Sequence, residues 1–597
     1  MLYHARLGLC SGGYVGVDIF FVISGFLITG IISSEIKAGT FSLLRFYERR
    51  VRRIFPAFFT MLIIVTAAAI ILLAPSELAS YGKRSIATLV FLSNFKFLRE
   101  ADYFTSDAEV NPLLHMWSLS VEEQFYIFFP LLLLVLFKLR WRPLLTIGLL
   151  FAASLALSCW SVGRYPTETF YLLPTRAWEL MIGSLIALGA LPRCTTRWVN
   201  ELLAGAGIGL IAWAIFGFTS ETTFPGYTAI VPCLGAALVI YSGAEGTTLV
   251  SSVISCRPVV YVGLISYSLY LFHWPFIVFA TYMFPSAGAI SVPVLAAIGL
   301  AFALAMFSLR YIEAPFRIRS LLSTRRSVFV AGFTAMAICG VVSALIVVTK
   351  GLPGRHGLDA SFYSSIATAK AQALEQYQMG HCFLSKKKQS RLDASRCSAA
   401  NDRVLLIGDS HAAHLSPGLR ARWPEVELSY LAAEGCRPLH GQITRNDDLC
   451  RLVNAYWFET LLRAKRWPKV ILAAEWKRSD LPVLTATIEY LQQRADQIIL
   501  VGPSLDYHGL FPELHAVYGE GDVLRHKQEA DRFSLDGEMR RAAAKLGVTY
   551  ISMIDILCPL GACVYKAPGG EYMHWDSSHL TLAGSTWVIQ QWPNALP

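Results

Sequence analysis

Apolar and polar positions follow two different periods along this chain, and the change comes near residue 350. The first part is a series of long apolar runs. A hydrocarbon core about 30 Å thick needs roughly 20 apolar residues in a helix. Ten segments approach that length: 15–33, 54–74, 121–138, 143–161, 173–190, 202–218, 227–243, 262–282, 291–311 and 328–349. A shorter apolar stretch, 85–98, carries Lys96 and Arg99 and reads as re-entrant or interfacial. Residues 351–400 are polar and mixed, with Lys386-Lys387-Lys388, and read as a linker with an irregular lead-in. From 401 to 597 short apolar runs at 404–407, 428–431, 470–474, 498–501 and 548–551 alternate with helical stretches. That alternation predicts an α/β/α domain on a parallel sheet. The expected architecture is a polytopic α-helical membrane domain over 1–350 followed by this α/β domain.

Basic residues orient the spans. Arg and Lys concentrate in loop 34–53, in Lys138, Arg140 and Arg142, and in loops 191–201 and 312–327. The intervening loops are poorer, with 75–120 giving the weakest contrast. The positive-inside rule puts the basic loops in the cytoplasm and the end of the last span, near Lys350, on the outer face. Ten spans that end outside also begin outside. The pattern therefore predicts a further helix ahead of Met1, in a longer protein. Residues 1–13 have no long apolar core and no basic n-region, so no cleavable signal peptide is expected there.

Composition agrees with the pattern. Of 597 residues, 54% are hydrophobic and 16% charged, with a mean hydropathy of +0.47; soluble domains carry about 25% charge. The net charge of +10 sits beside apolar spans, so membrane lipid is the expected partner and nucleic acid is not. Six of twelve cysteines precede residue 351 and six follow it. None of their spacings is a zinc pattern, and no metal is expected. In an oxidising compartment the later six would pair with near neighbours, Cys382–Cys397, Cys436–Cys450 and Cys558–Cys563; buried thiols are the alternative.

Two groups of residues carry candidate chemistry. In the α/β part, the first expected strand runs into Gly408-Asp409-Ser410-His411, which puts a serine at the carboxyl end of the sheet. Far downstream, Asp576 and His579 stand three apart, so His579 can take the Ser410 proton while Asp576 orients the imidazole. In the membrane part, ionisable residues in or beside spans are costly and so point to function. His115 and Glu122 are read as a histidine beside a carboxylate, a base for a sugar hydroxyl, with Tyr126 on the same helix face as Glu122. Arg176 and Glu179 form a possible buried pair, and His273 lies mid-span. The run Arg49-Arg50-Val51-Arg52-Arg53 suits the phosphates of a nucleotide-like donor.

The pairing of Gly408-Asp409-Ser410 with Asp576-Ser577-Ser578-His579 resembles the SGNH hydrolase family over about 401–590. The resemblance implies a triad of Ser410, His579 and Asp576, with Gly435 in Ala-Glu-Gly-Cys as oxyanion glycine. No Gly-x-Asn-Asp element is present; the corresponding strand ends Ala473-Ala474-Glu475-Trp476. Loss of one oxyanion donor costs about 3 kcal/mol.

The strings Gly13-Tyr-Val-Gly-Val-Asp18, Phe46-Tyr-Glu-Arg-Arg50-Val-Arg-Arg53, His115-Met-Trp-Ser-Leu-Ser-Val-Glu122, Ser266-Tyr-Ser-Leu-Tyr-Leu-Phe-His273-Trp-Pro275 and Tyr311-Ile-Glu313-Ala-Pro-Phe-Arg317 closely resemble the membrane acyltransferase family 3, over about 1–320. The fused order is similar to that of bacterial O-antigen acetylases. The resemblance implies cytoplasmic acetyl-CoA as acyl donor. It implies a polysaccharide or lipid-linked glycan acceptor, such as lipopolysaccharide O-antigen, on the periplasmic side of the inner membrane. Arg50 and Arg53 would lie near the donor, and His4 matches an essential histidine. The family's arginine about ten residues earlier falls before this sequence begins. The expected route passes the acetyl group near His4 and His115, with Ser410 as an acyl carrier. A tethered glycan esterase, and a transporter with a glycan-binding cap, are the alternatives.

Overall fold

A computed structural model describes residues 3–4, 10–101, 111–192, 194–219, 221–244, 247–284, 291–385, 397, 403–441, 448–521, 524, 528 and 530–593. The chain forms two compact units, Met1–Leu352 and Pro353–Pro597.

In the first unit every one of the ten apolar segments is helical. Eight helices are long and apolar enough to cross a membrane: Gly13–Lys37, Leu43–Leu72, Met116–Lys138, Pro143–Ser161, Arg197–Gly217, Arg257–Met283, Val292–Arg317 and Arg325–Val348. Leu173–Ala187 and Ile230–Ala244 have 15 residues each, a rise of about 22 Å. The first of these is shortened at both ends, by Pro174 in its first turn and by Gly189 at φ +80° just beyond it. The stretch 85–98 is divided between two short helices, Pro75–Leu89 and Ser93–Ala101, by a turn in which Phe91 has φ +53°. Pro75–Leu89 packs on Arg325–Val348, where Ser343 Oγ donates to Ser85 Oγ at 2.9 Å.

The unit is polar within and apolar without, as lipid requires. Leu149, Trp213, Phe216 and Phe333 are exposed, while Asp18, Glu48, Arg52, Glu122, Arg176 and Glu179 are buried. Small residues let the backbones approach. A Cβ added at Gly25 would lie 1.8 Å from Leu180 O, and one at Gly183 would lie 2.0 Å from Val22 O. Beside this contact Thr29 Oγ1 donates to Ser184 Oγ at 2.8 Å.

The second unit has a six-stranded sheet, parallel throughout: β1 (Phe383–Leu384), β2 (Val404–Gly408), β3 (Leu428–Ala433), β4 (Trp467–Ala473), β5 (Ala495–Val501) and β6 (Thr549–Ile551). Their order is β1-β3-β2-β4-β5-β6. All five expected strands are present. The expected linker is partly folded. Helix Ala360–Gln376 leads into Tyr377, whose hydroxyl donates to Leu580 O at 2.5 Å, and β1 forms the sheet edge beside β3. Lys386-Lys387-Lys388 lies outside the described residues. Disulfides join Cys382–Cys397, Cys436–Cys450 and Cys558–Cys563, and the six cysteines of the first unit are free thiols.

After β2 the chain moves to β3 on one side, then returns to place β4 on the other. This reversal opens a crevice at the carboxyl ends of β2, β3 and β4, the usual ligand position in open α/β sheets.

Candidate functional site

In the second unit that crevice gathers the α/β candidates. Gly408 ends β2 where nothing larger fits, since a Cβ there would lie 1.7 Å from Ala473 O of β4. Asp409 caps the short helix Ser410–Ala413 and is buried. Its carboxylate accepts from His411 N at 2.8 Å and from Glu475 N at 2.9 Å, so it ties the end of β2 to the segment after β4. Ser410 follows at the partly open N-terminus of this helix. Gly435 sits in the turn after β3 with φ +69°, a backbone conformation that favours glycine. Among the described residues the N–H groups of Ser410 and Gly435 have no acceptor, which leaves two donors free at the mouth of the crevice.

Asp576 and His579 occupy one turn just before helix Leu582–Gln590. Asp576 Oδ1 accepts from the N–H groups of Ser578 (3.0 Å) and His579 (2.8 Å), and Oδ2 meets His579 Nδ1 at 2.8 Å. Trp575 stacks on the imidazole with an interplanar angle of 16°. The ring of His411, next to Ser410, is 5.5 Å from that of His579. Ser410 Oγ makes no hydrogen bond among the described residues; such bonds are often long in structures without substrate. Burial opposes charge on His579, but Asp576, by charge and hydrogen bond, with Asp409 and Asp506, raises its pKa to about 9. Asp576 is held below the usual carboxylate range, since His579 and the two N–H donors outweigh burial. Burial, then the charge of Glu475, pushes Asp409 up to about 7.

No asparagine stands at the end of β4. Glu475 is there instead, and its Oε1 accepts from Arg532 at 3.1 Å. The buried Arg532 also donates to Trp476 O at 2.9 Å and to Asp506 Oδ2 at 3.2 Å. Sequence reasoning missed Arg532 and Asp506, because neither lies in a motif; a strand ending in a carboxylate was the available hint.

In the first unit the candidates form two groups along one helix. His115 caps Met116–Lys138, and Ser118, Glu122 and Tyr126 follow at spacings that keep one face. At the His115 end, His115 Nε2 lies 3.2 Å from Leu271 O, and its ring is 6.0 Å from that of His273. The ring of His4 is 5.6 Å from His273 and 4.6 Å from Trp274. Tyr270 hydroxyl meets the His115 carbonyl and lies 2.7 Å from Ser118 Oγ. Seven residues further on, about 10 Å along the axis, Glu122 accepts from Ser24 and Tyr126 hydroxyls. The Arg50 guanidinium lies 5.6 Å from the centre of the Tyr126 ring.

The expected pairing of His115 with Glu122 is therefore corrected. The helical rise separates them; His115 joins a histidine group, and Glu122 joins Arg50. Arg53 is exposed near this second group, whereas Arg52, between them in sequence, is buried and bonded to Glu48. The Arg176–Glu179 pair is present at 3.2 Å, and Arg176 also meets Asp18 at 3.0 Å. Among the described residues Asp18, Glu179 and Cys233 are the group with metal-ligand spacing, and Arg176 is ion-paired with two of them, Asp18 and Glu179.

Comparison with known proteins follows the same division. Residues 3–311 match the family described as “Acyltransferase domain”, and residues 376–594 match “SGNH domain (fused to AT3 domains)”. An uncharacterized protein of Haemophilus influenzae is 37% identical over 38% of this chain and 98% of its own length. The peptidoglycan O-acetyltransferase OatA of Listeria monocytogenes is 26% identical over 73% of this chain and 77% of its own. The O-acetyltransferase OatA of Staphylococcus aureus is 31% identical over 53% of this chain and 55% of its own. With a helical membrane unit and an α/β unit in the order these families prescribe, this chain belongs to the acyltransferase family whose membrane domain is fused to an SGNH domain.

Proposed function

We propose that the protein transfers an acetyl group from cytoplasmic acetyl-CoA to a hydroxyl of a cell-surface glycan on the outer side of the inner membrane. The observation that carries this reading is the buried polar face of helix Met116–Lys138, with Arg50 and Glu122 towards one end and His4, His115 and His273 at the other. A membrane tether for an esterase needs no such face, and each buried ionisable group costs stability in lipid. The disulfides support an outer position for the SGNH unit, since its six cysteines are paired while those of the membrane unit are free.

The transfer takes two balanced steps. Ser410 loses its proton to neutral His579 and attacks the acetyl carbonyl, with the N–H groups of Ser410 and Gly435 facing the oxyanion; the bond from that carbonyl to the group that carried the acetyl breaks, and that group leaves with the proton from His579, which is neutral again. The acceptor hydroxyl then gives its proton to His579 and displaces serine, which recovers the proton. The acceptor is O-antigen on the sequence resemblance. Peptidoglycan is the second reading, favoured by the relative from Listeria. Full-length protein in proteoliposomes, given acetyl-CoA on one side and either glycan on the other, tests both. Acetylation of one glycan that requires acetyl-CoA is expected. Rapid hydrolysis of acetylated glycan without acetyl-CoA dependence would establish the esterase instead.

A further inference from the structure

Residues 42–53 and 316–325 meet around one carboxylate. Glu48 is buried, with 4% side-chain exposure, and three guanidiniums surround it: Arg52 at 3.0 Å, Arg325 at 3.1 Å and Arg319 at 3.4 Å. Arg52 is committed to the fold; it is 4% exposed and also donates to the carbonyls of Phe316, Ser323 and Thr324. Arg319 and Arg325 remain 55% and 42% exposed. Arg45 adds a fourth guanidinium and pairs with no acid among the described residues. Arg45, Glu48, Arg319, Ser323 and Arg325 line a cleft of about 550 Å³.

The charges do not balance. Four guanidiniums face one carboxylate, and the surplus lies on the open side. Two long helices also begin at this cleft, Leu43–Leu72 capped by Ser42 and Arg325–Val348 capped by Thr324. Their N-termini add partial positive charge and favour an anion. A purely structural ion cluster would bring acids and bases together in similar number.

We infer that this cleft binds a phosphate monoester dianion, and that during turnover the ligand is the ribose 3′-phosphate of the coenzyme A donor. The inference rests on the proposed acetyl-CoA reading. Guanidinium forks match phosphate oxygens in pairs. Arg45 stands five residues before Arg50 on the same helix, about 7.5 Å along its axis. Arg45 and Arg50 lie about 140° apart around this helix, so a donor whose phosphate end is held in the cleft passes round the helix to bring its thioester to Arg50 and Glu122. An anionic phospholipid headgroup offers the same chemistry.

The test uses full-length protein in phosphatidylcholine nanodiscs, with acetyl-CoA and 3′-dephospho-acetyl-CoA as donors. Arg45→Ala is the main variant, since it leaves every Glu48 pair in place; Arg319→Ala/Arg325→Ala is the second. Wild type is expected to use the dephospho donor with a KM about 10-fold higher, and Arg45→Ala to raise the acetyl-CoA KM by about 10-fold with kcat retained and the dephospho KM unchanged. Equal KM values for the two donors in wild type, or an equal rise for both in Arg45→Ala, would overturn the assignment. So would variants that no longer bind phosphatidylglycerol added to a second set of nanodiscs yet still discriminate between donors, which would give the cleft to lipid. If wild type binds neither donor, the acetyl-CoA reading itself fails, a result distinct from the others.

Discussion

At the scale of single residues, the proposed transfer makes His579 the group that decides when the serine site works. Its pKa of about 9 means that it is mostly protonated at neutral pH and must lose that proton to serve as a base. Ser410-dependent transfer should therefore climb about tenfold per pH unit from 6 and level off near 9. Asp576→Asn removes the main charge that holds the imidazolium, so the rising limb should shift towards neutrality while the plateau falls by roughly 10²–10⁴-fold. A rate that is flat from pH 6 to 9 in wild type would remove His579 as the base. The same pair affects stability with a defined sign. His579, raised in the fold, stabilises below about 6.5, and that contribution is lost as pH rises through about 9. Asp576, lowered in the fold, stabilises above its unfolded value, and that contribution is lost on acidification. The residues of the proposed triad were legible because each sits in a short local motif. Arg532 and Asp506 were not, because they pair across 26 residues of sequence, and the cluster around Glu48 was not, because Arg325 joins it from 277 residues away.

At the scale of elements, the crevice depends on how closely β2 and β4 approach. Gly408→Ala would drive a methyl group into Ala473 O and part the two strands. The hydrogen bond from Glu475 N to Asp409, at 2.9 Å, would go with them. Overpacking of this kind costs about 1–3 kcal/mol, so the SGNH unit should melt several degrees lower, and transfer should fall at least about tenfold through displacement of Ser410. An unchanged melting temperature and rate in Gly408→Ala would show that the strands tolerate separation. The four inner strands, β2 to β5, were legible because buried parallel strands are continuous apolar runs, and the edge strand β6 falls in the short run 548–551. β1 has two residues, Phe383 and Leu384, too few to show any period. Helix Ala360–Gln376 gives no signal in the sequence pattern, because Ala373 is its one buried residue and it lacks an apolar stripe. The two 15-residue helices are shorter than the apolar runs that contain them, because Leu188, Gly189 and Tyr227 to Ala229 lie in turns.

At the scale of the whole molecule, two sites of different chemistry are joined in one chain. The membrane unit buries arginine, carboxylate and histidine along one helix face, and the SGNH unit presents a serine beside a charged histidine pair. Neither is sufficient for transfer if the donor and the acceptor lie on opposite sides of a membrane. The acetyl content of surface glycan, measured by NMR in cells carrying wild type, Ser410→Ala or Arg50→Ala at matched membrane levels, tests this dependence most directly. Both variants should reduce acetylation to the level of cells without the protein. Acetylation that persists in Ser410→Ala, or increases in it, would contradict transfer through the serine site.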